Sequence, residues 1–242
     1  MNTMGSWIKQ LSGMMTQNRY TDGLSERDPA KIAYIRRLQK ALKQKDHLSI
    51  PFSDLPVTVF DIETTGFYPQ KGDTVLSIGA LKVRGTHVLE HETFYSLIKT
   101  EQPPSDEVQK ITHLSHEELI KAPSPEEVLH AFFHFAGKDT LVAHHAGHEA
   151  KFMQHMMWSL FKTRFEHRIL DTSFLTKLIK PMEKLTTLEE CCTHYGIDLT
   201  NRHHAYHDAV MAAKIWSQCI PKVEKQGFSC LKDVYSHLAS VR

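Results

Sequence analysis

Two acidic side chains stand at alternate positions of one short segment, VTVFDIE, which runs from Val57 to Glu63. The segment is rich in β-branched and aromatic residues and predicts a β-strand, on which Asp61 and Glu63 share one face. Two ionised carboxylates about 4 Å apart repel by roughly 4 kcal/mol at an effective dielectric constant near 20. Water, lysine or arginine neutralises such a pair on an exposed edge strand, whereas a divalent cation such as Mg²⁺ or Mn²⁺ neutralises it in a metal site.

The turn after these acids favours the metal site. Thr64, Thr65 and Gly66 follow Glu63 directly, so both acids lie at the carboxyl end of the predicted strand. In open α/β sheets, ligands bind at that end of the strands. An arbitrary pair of acids with this spacing is more often solvated, so other ligands have to be found elsewhere in the chain.

A further acid stands at the start of the segment HHAYHDAVMAAKIW, residues 203–216. Asp208 begins a predicted helix with an apolar stripe, and His203 precedes it by five residues in the preceding loop. Taken alone, Asp208 is better explained as an acid stabilised by the helix dipole than as a metal ligand.

The apolar pattern predicts the elements that position these side chains. Three consecutive strands, followed by strands that alternate with helices, indicate one mixed α/β sheet covered by helices. An apolar stripe from Trp7 to Met15 predicts an N-terminal helix, and Asp28 as N-cap with Pro29 predicts a second. We favour packing of these helices on the main domain over a partner-binding arm. The predicted strands are 56–62, 74–83, 87–97, 140–144 and 168–172, and the later helices are 105–110, 115–120, 125–136, 147–161, 172–179, 186–195, 206–219 and 229–240.

Composition restricts the class of protein. The chain has 242 residues, of which 41% are hydrophobic and 24% charged, as in an ordinary globular protein. It contains no apolar run of the ~18 residues that a membrane-spanning helix needs. The N-terminus lacks the features of a secretory signal, and the four cysteines show no CxxC spacing. We therefore expect a cytoplasmic protein that does not associate with membranes.

The three motifs resemble those of the DnaQ-like 3′-to-5′ exonucleases of the DEDDh type. VFDIETTG (59–66) is similar to the first motif of the family, LVAHHAGHEAKFM (141–153) to the second, and HHAYHDA (203–209) to the third. The connecting segments RILDTSFL (168–175) and LTTLEECCTHYGIDLTNRHHA (185–205) resemble the family as well. The resemblance covers about residues 56–218, and three motifs in order are far more specific than one.

The resemblance implies a ribonuclease H-like α/β fold, a mixed five-stranded sheet flanked by helices, with a helical N-terminal extension. The implied domains are the helical extension (1–54), a DEDDh exonuclease domain (55–220) and a C-terminal helix (221–242). The implied activity is metal-dependent hydrolysis of phosphodiester bonds at the 3′ ends of single-stranded nucleic acid, with DNA favoured over RNA, to release nucleoside monophosphates. A DNA polymerase, or another replication or repair protein, is a candidate partner through the N-terminal helices.

The resemblance also implies residue roles. Two divalent cations, Mg²⁺ or Mn²⁺, would support a two-metal mechanism, and His203 would be the general base toward the attacking water. The implied metal ligands, which are also catalytic residues, are Asp61, Glu63, Glu149 and Asp208. The implied contacts to the terminal nucleotide come from Thr64, Thr65 and Gly66.

Three departures from the family pattern bear on these roles. Glu149 stands where the family has Asp; it keeps the charge and adds one methylene group, and we expect the longer side chain to be tolerated. The residues just before it, His145 and His148, stand where the family usually has Asn and Phe. The pair His113 and Leu114 stands where Gly-Ile is common.

Two other functions compete with an active exonuclease. His207 and Asp208 match the HD pair of metal-dependent phosphohydrolases, and His144, His145 and His148 suggest a zinc site. HD domains are nearly all helical, however, whereas residues 56–97 favour strands. The second alternative is an exonuclease fold that binds nucleic acid but has lost catalysis through the substitution at Glu149.

Overall fold

A computed structural model describes residues 28–180, 183 and 185–240. The first described helix, α1, spans Pro29–Gln44, and the Asp28 side chain accepts a hydrogen bond from the backbone N–H of Ala30 at 2.8 Å. The predicted N-cap is therefore confirmed. The apolar stripe from Trp7 to Met15 lies outside the described residues.

Five strands form one mixed sheet in the order β3-β2-β1-β4-β5. The first three strands are joined by short connections and pair antiparallel, whereas β4 and β5 run parallel to β1. The predicted mixed five-stranded sheet is therefore confirmed, and β1 lies at its centre. Because β1, β4 and β5 are parallel, their carboxyl ends meet at one edge of the sheet. The strands are β1 Pro56–Thr64, β2 Val75–Arg84, β3 His87–Leu97, β4 Thr140–Ala143 and β5 Ile169–Asp171.

Helices cover both faces of the sheet. Several begin with a serine or threonine whose side chain accepts a hydrogen bond from the first turn, and three of these make complete capping boxes. None of the described helices is both long and apolar enough to cross a membrane. The helices after β3 are α2 Asp106–Thr112, α3 His116–Lys121, α4 Pro125–Ala136, α5 Gly147–Phe161, α6 Thr172–Ile179, α7 Leu188–Tyr195, α8 Ala205–Lys225 and α9 Leu231–Ser240.

Alternation along β1 divides the core into two layers. Val57 and Val59 pack in a cluster with residues of α6, α7, α8 and α9, whereas Phe60 and Ile62 pack on the other face with α1, α4 and α5. The two-residue period of a strand continues the first face to the two acids that follow. Asp61 and Glu63 therefore point to the side of the sheet that α8 covers.

Helix α1 packs against the rest of the domain. Leu38 and Leu42 of α1 are buried, the Tyr34 hydroxyl donates to the Phe133 carbonyl oxygen at 3.2 Å, and the Gln39 amide donates to the Arg164 carbonyl oxygen at 2.5 Å. Within the described residues, this agrees with intramolecular packing as the role of the second predicted helix.

Helix α8 is longer than the pattern predicted. It continues past residue 219 and through Pro221 to Lys225, and α9 begins only at Leu231. A proline inside a helix removes one backbone hydrogen bond. Ile220 and Val223 on either side of it are fully buried, so packing of this last turn outweighs that loss. The segment 221–242 therefore contains the end of α8 as well as α9, and the division at 220 stays a prediction.

Candidate active site

The acids of β1 meet the first turn of α8 on the same face of the sheet. One carboxylate oxygen from each of Asp61, Glu63 and Asp208 can be chosen so that all three lie within 4.8 Å of one another. Asp208 is only 5% exposed. Oxygen ligands from two or three carboxylates at this spacing suit a hard divalent cation.

A glycine in β2 allows α8 to come so close to the sheet. Gly79 pairs with Asp61 across the β1–β2 ladder and therefore faces α8 in the same row. A Cβ atom added at Gly79 would overlap the backbone of Ala205 and Tyr206, the first two residues of α8. The missing side chain of Gly79 thus sets the depth at which Asp208 approaches Asp61.

The fourth predicted acid, Glu149, lies on helix α5, which begins shortly after the end of β4. Glu149 lies in the first turn of α5 and is 3% exposed. Among the described residues, the tight group of oxygens comprises the other three acids and does not include Glu149. Glu149 nevertheless lines the same cavity, of about 330 Å³. The lining residues are Asp61, Ile62, Glu63, Phe67, His144, His145, His148, Glu149, Leu188, His203 and Asp208.

Burial and mutual repulsion raise the pKa of three carboxyls in the cavity, those of Asp61, Glu63 and Glu149. Burial, followed by repulsion from Glu149 and Glu63, raises the pKa of Asp61 well above its ordinary value. Burial and the charge of Asp208 raise the pKa of Glu63 to about 8. Burial is also the main cause that raises the pKa of Glu149 to about 8. A cation in the cavity would reverse these shifts, because it stabilises the charged form of every carboxyl.

Two carboxylate oxygens lack hydrogen-bond partners within the described part of the chain. They are Oε2 of Glu149 and Oδ1 of Asp208, both buried. Buried polar atoms in folded proteins are almost always paired, so such atoms call for an ion or water. This donor set of buried and half-buried carboxylates fits a Mg²⁺ or Mn²⁺ site.

Arg202 pairs with the other oxygen of Asp208. Its Nη1 donates to Asp208 Oδ2, and its Nε donates to Oε1 of Glu189 on α7 at 3.1 Å. Sequence reasoning missed this contact, although a basic residue directly before His203 was a visible signal. Leu188, on the wall of the cavity, and Gly79 were missed as well, because their roles depend on packing between distant segments.

His203 lies at the mouth of the cavity. It is exposed and has a left-handed backbone conformation, with φ of 63°. It lines the cavity together with Asp208, five residues later. The imidazole is therefore open to solvent on the side from which water enters.

The other histidines near the cavity do not form the suggested zinc site. The Nδ1 atom of His144 lies 2.7 Å from Thr172 Oγ1, and its Nε2 atom lies 3.1 Å from the Thr186 carbonyl oxygen. Because α5 begins only at residue 147, His144 and His148 do not share a helix face. The mixed sheet also excludes the nearly all-helical HD domain, so that alternative is wrong.

The turn after β1 is tied to the next loop. Thr64 Oγ1 donates to the Gly66 carbonyl oxygen at 2.7 Å, and Thr65 Oγ1 accepts from the Thr74 backbone N–H at 2.9 Å. A Cβ at Gly66 would lie 2.5 Å from Oδ2 of Asp73. These three residues adjoin the cavity without lining it, and their contact with a nucleotide stays a prediction.

Two further positions, His113 and Asp171, have structural explanations. His113 has φ of 58° at the end of α2, a conformation that favours glycine, which accounts for the glycine common at this position. Asp171 caps α6, since its Oδ1 accepts from the Ser173 backbone N–H at 2.8 Å.

Comparison with known proteins places these features in a family. A family model described as exonuclease, RNase_T, matches residues 58–216. The PolC-type DNA polymerase III of Clostridium perfringens (strain 13 / Type A) is 30% identical over 168 residues, which are 69% of this chain and 11% of that polymerase. DNA polymerase III subunit epsilon of Aquifex aeolicus (strain VF5) is 27% identical over 184 residues, which are 76% of this chain and 88% of the subunit.

The fold has solved counterparts. The structure of E. coli exonuclease I in complex with a dT13 oligonucleotide is similar with a TM-score of 0.59 at 12% identity, over 72% of this chain and 42% of that one. The chain spans only a small part of the PolC-type polymerase, so that protein's whole activity does not transfer. The family model, in contrast, covers more than half of the chain, including Asp61, Glu63, Glu149 and Asp208. The chain therefore belongs to the RNase_T exonuclease family, in agreement with its DnaQ-like motifs.

Proposed function

We propose that the protein is a metal-dependent exonuclease that removes nucleoside monophosphates from the 3′ end of single-stranded nucleic acid. The observation that carries this proposal is the convergence of one carboxylate oxygen each from Asp61, Glu63 and Asp208 within 4.8 Å in one cavity, where Asp208 is buried and the other two are half-buried. Burial and crowding raise the pKa of Asp61 and of Glu63, and such carboxylates are costly to keep ionised unless a cation makes the crowding favourable.

Asp61, Glu63 and Asp208 would hold the divalent cations, and Glu149 would act from the edge of the group, through water. When bound, such ions lower the pKa of water and stabilise charge on the phosphate and on the departing 3′ oxygen. The buried Oδ1 of Asp208 and Oε2 of Glu149, which lack partners in the described chain, are the oxygens open to these contacts.

His203 takes the proton of the attacking water in this proposal. The water oxygen forms a new bond to phosphorus, the bond from phosphorus to the 3′ oxygen breaks, and that oxygen leaves to be protonated by solvent. The exposed position of His203 at the cavity mouth supports this role, because its ring exchanges the proton with bulk water after each turnover. Thr64, Thr65 and Gly66 would support the sugar and phosphate of the terminal nucleotide.

A single strand of DNA is the substrate we favour over RNA. A cavity of about 330 Å³ has room for about one nucleotide unit, which must be separated from a pairing partner before it enters. Phe67, 72% exposed beside the cavity, offers an aromatic ring to a base. Similarity to an epsilon subunit and to an exonuclease solved with dT13 supports DNA.

Partner and location belong to the same proposal. Similarity to a polymerase subunit makes a replicative polymerase the candidate partner. All four cysteines are free thiols, which suits the reducing cytoplasm.

A catalytically silent binding module is the second candidate. Glu149 replaces the family aspartate and lies outside the tight group of oxygens, which favours weakened catalysis. Such a protein would bind oligonucleotides and release no mononucleotide with any divalent ion.

The test is a time course on 5′-labelled single-stranded DNA and RNA of the same sequence with Mg²⁺, Mn²⁺ or EDTA. We expect a ladder that shortens from the 3′ end, requires the metal and disappears in Asp61→Asn, with DNA cut faster than RNA. Asp54→Asn is the matched control, since Asp54 is exposed just before β1, at the end of the strand opposite to the acids. Binding without cleavage would replace the enzyme by the binding module, and Glu149→Asp would then be tested for restored cleavage.

A further inference from the structure

Arg202 is held in a fixed place beside the acids. It stands between Asn201 and His203, which have φ values of 62° and 63°, so the loop turns sharply on both sides of it. Its side chain is only 18% exposed, and its guanidinium bridges Glu189 on α7 and Asp208 on α8. A planar guanidinium bound at both ends is a rigid cation, unlike a mobile surface lysine.

The hydrogen bond from Arg202 makes the two carboxylate oxygens of Asp208 unequal. Oδ2 accepts the hydrogen bond from Arg202, whereas Oδ1 is buried without a partner in the described chain. One oxygen is therefore already engaged by a cation that belongs to the protein. A divalent ion can use Oδ1 directly, but it must share the negative charge of Asp208 with Arg202.

The charge of Arg202 extends to the strand acids. Its positive charge lowers the pKa of Asp61 and of Glu63, although burial and repulsion outweigh this effect for both. In the ion-free protein, Arg202 thus relieves part of the repulsion within the group. The same charge repels a divalent ion that enters it, because like charges a few ångströms apart interact strongly in a partly buried site.

Glu189 keeps Arg202 from moving farther into the cavity. Burial alone would raise the pKa of Glu189, but its hydrogen bonds and ion pair with Arg202 outweigh burial and lower it. Glu189 remains 47% exposed at the side chain, so its carboxylate is the solvent-facing end of the bridge.

We propose that Arg202 is a built-in counter-cation that competes with divalent ions for Asp208 and so sets the ion concentration at which the site fills. The proposal depends on the metal site of the proposed function. It assigns to Arg202 a positioning role in the ion-free protein and a tuning role in ion binding, with no direct part in bond cleavage.

The test measures Mn²⁺ binding without substrate, by the loss of the free-ion electron paramagnetic resonance signal. We expect Arg202→Met to lower the apparent Kd for Mn²⁺ at least tenfold, because the competing charge is gone. Arg202→Lys keeps the charge but cannot bridge both carboxylates with a planar guanidinium, so its Kd should lie between those of the wild type and Arg202→Met. Arg36→Met, an exposed arginine of α1, is the control for loss of a positive charge far from the cavity.

A second readout separates tuning from a purely structural bridge. In EDTA, Arg202→Met should unfold at a lower temperature than the wild type, and the rise in melting temperature on adding Mn²⁺ should be larger than in the wild type. Glu189→Gln should weaken Mn²⁺ binding in the wild-type background and have a much smaller effect in the Arg202→Met background.

Each outcome of the Mn²⁺-binding measurement either supports or overturns the proposal. If the wild type binds Mn²⁺ but Arg202→Met binds it no more tightly, or more weakly, Arg202 is a structural bridge and the proposal is wrong, while the proposed function stands. If neither protein binds Mn²⁺ at millimolar concentrations, both the proposal and the metal-dependent function are overturned. Binding seen only in Arg202→Met would be strong support, since the counter-cation would then block the site almost completely.

Discussion

Gly79→Ala tests whether the depth of α8 on the sheet determines activity. The added methyl group would lie well inside 3.0 Å of the backbone of Ala205 and Tyr206, a separation that real Cβ contacts essentially never show. The neighbours are backbone atoms and cannot rotate away, so the start of α8 has to move. Gly79 is not among the residues with a positive φ, so alanine meets no backbone strain and the clash is the whole perturbation.

Two effects of different size should follow. Overpacking of this kind costs about 1–3 kcal/mol of unfolding free energy. Asp208 lies on the first turn of α8, so a displacement of the order of 1 Å moves its carboxylate away from Asp61 and Glu63. Misplacement by about 1 Å can reduce turnover by roughly 100-fold.

Urea unfolding and initial rates of mononucleotide release measure the two effects separately. Gly147→Ala is the matched control, because a Cβ there meets nothing within 4 Å although Gly147 begins the helix that carries Glu149. We expect the control to keep wild-type activity and stability. If Gly79→Ala changed the unfolding free energy by less than about 0.5 kcal/mol and kept full activity, α8 would not be held where the structure has it.

Three further predictions concern the acids and the base. His203→Ala should lower turnover by about 10²- to 10⁴-fold and leave the Kd for Mn²⁺ unchanged; a parallel loss of Mn²⁺ binding would make His203 a ligand instead of a base. Glu149→Gln should lower turnover at least tenfold and should stabilise the ion-free protein above about pH 8, where Glu149 would otherwise carry a buried charge, whereas Glu149→Asp should keep most activity; equal rates for all three proteins would show that this charge is not used. In EDTA, the unfolding free energy should fall as the pH rises from about 4.5 to about 8, because Glu63 and Glu149 have a folded-state pKa of about 8 against an ordinary 4.5. Their folded-state pKa values are raised, so their stabilising contribution is complete below pH 4.5 and is lost by pH 8, at up to about 1.4 kcal/mol per pH unit for each group. Urea unfolding from pH 4 to 9 measures this slope; saturating Mn²⁺ should reverse it, and a flat profile in EDTA would contradict the raised pKa values.

Local patterns in the sequence were sufficient for the elements and for the positions of the acids on them, whereas the family resemblance, and not any local pattern, implied that the acids form one site. The alternation of Val57 and Val59 with Phe60 placed Asp61 on a definite face, and the apolar stripe after Asp208 placed that acid at a helix start. Long-range packing decided the rest. The ion pair between Arg202, in the loop before α8, and Glu189 of α7 joins residues 13 apart in sequence, and no hydrophobic periodicity predicts it. The close approach at Gly79 likewise exists only when β2 and α8 are superposed.

Apolar packing between helix α8 and the sheet explains how the fold tolerates the repulsion between the acids. The cluster around Trp216 and Ile215 holds α8 against β1 through apolar contacts that do not depend on any ion. That packing forces Asp208 toward Asp61 and Glu63 even when repulsion opposes it, and Arg202 offsets part of the cost. A bound divalent ion would remove the remaining repulsion, and its binding energy would then appear as added stability of the whole domain. The strength of ion binding and the instability of the ion-free protein should therefore change together in any variant that alters the charge of this cavity.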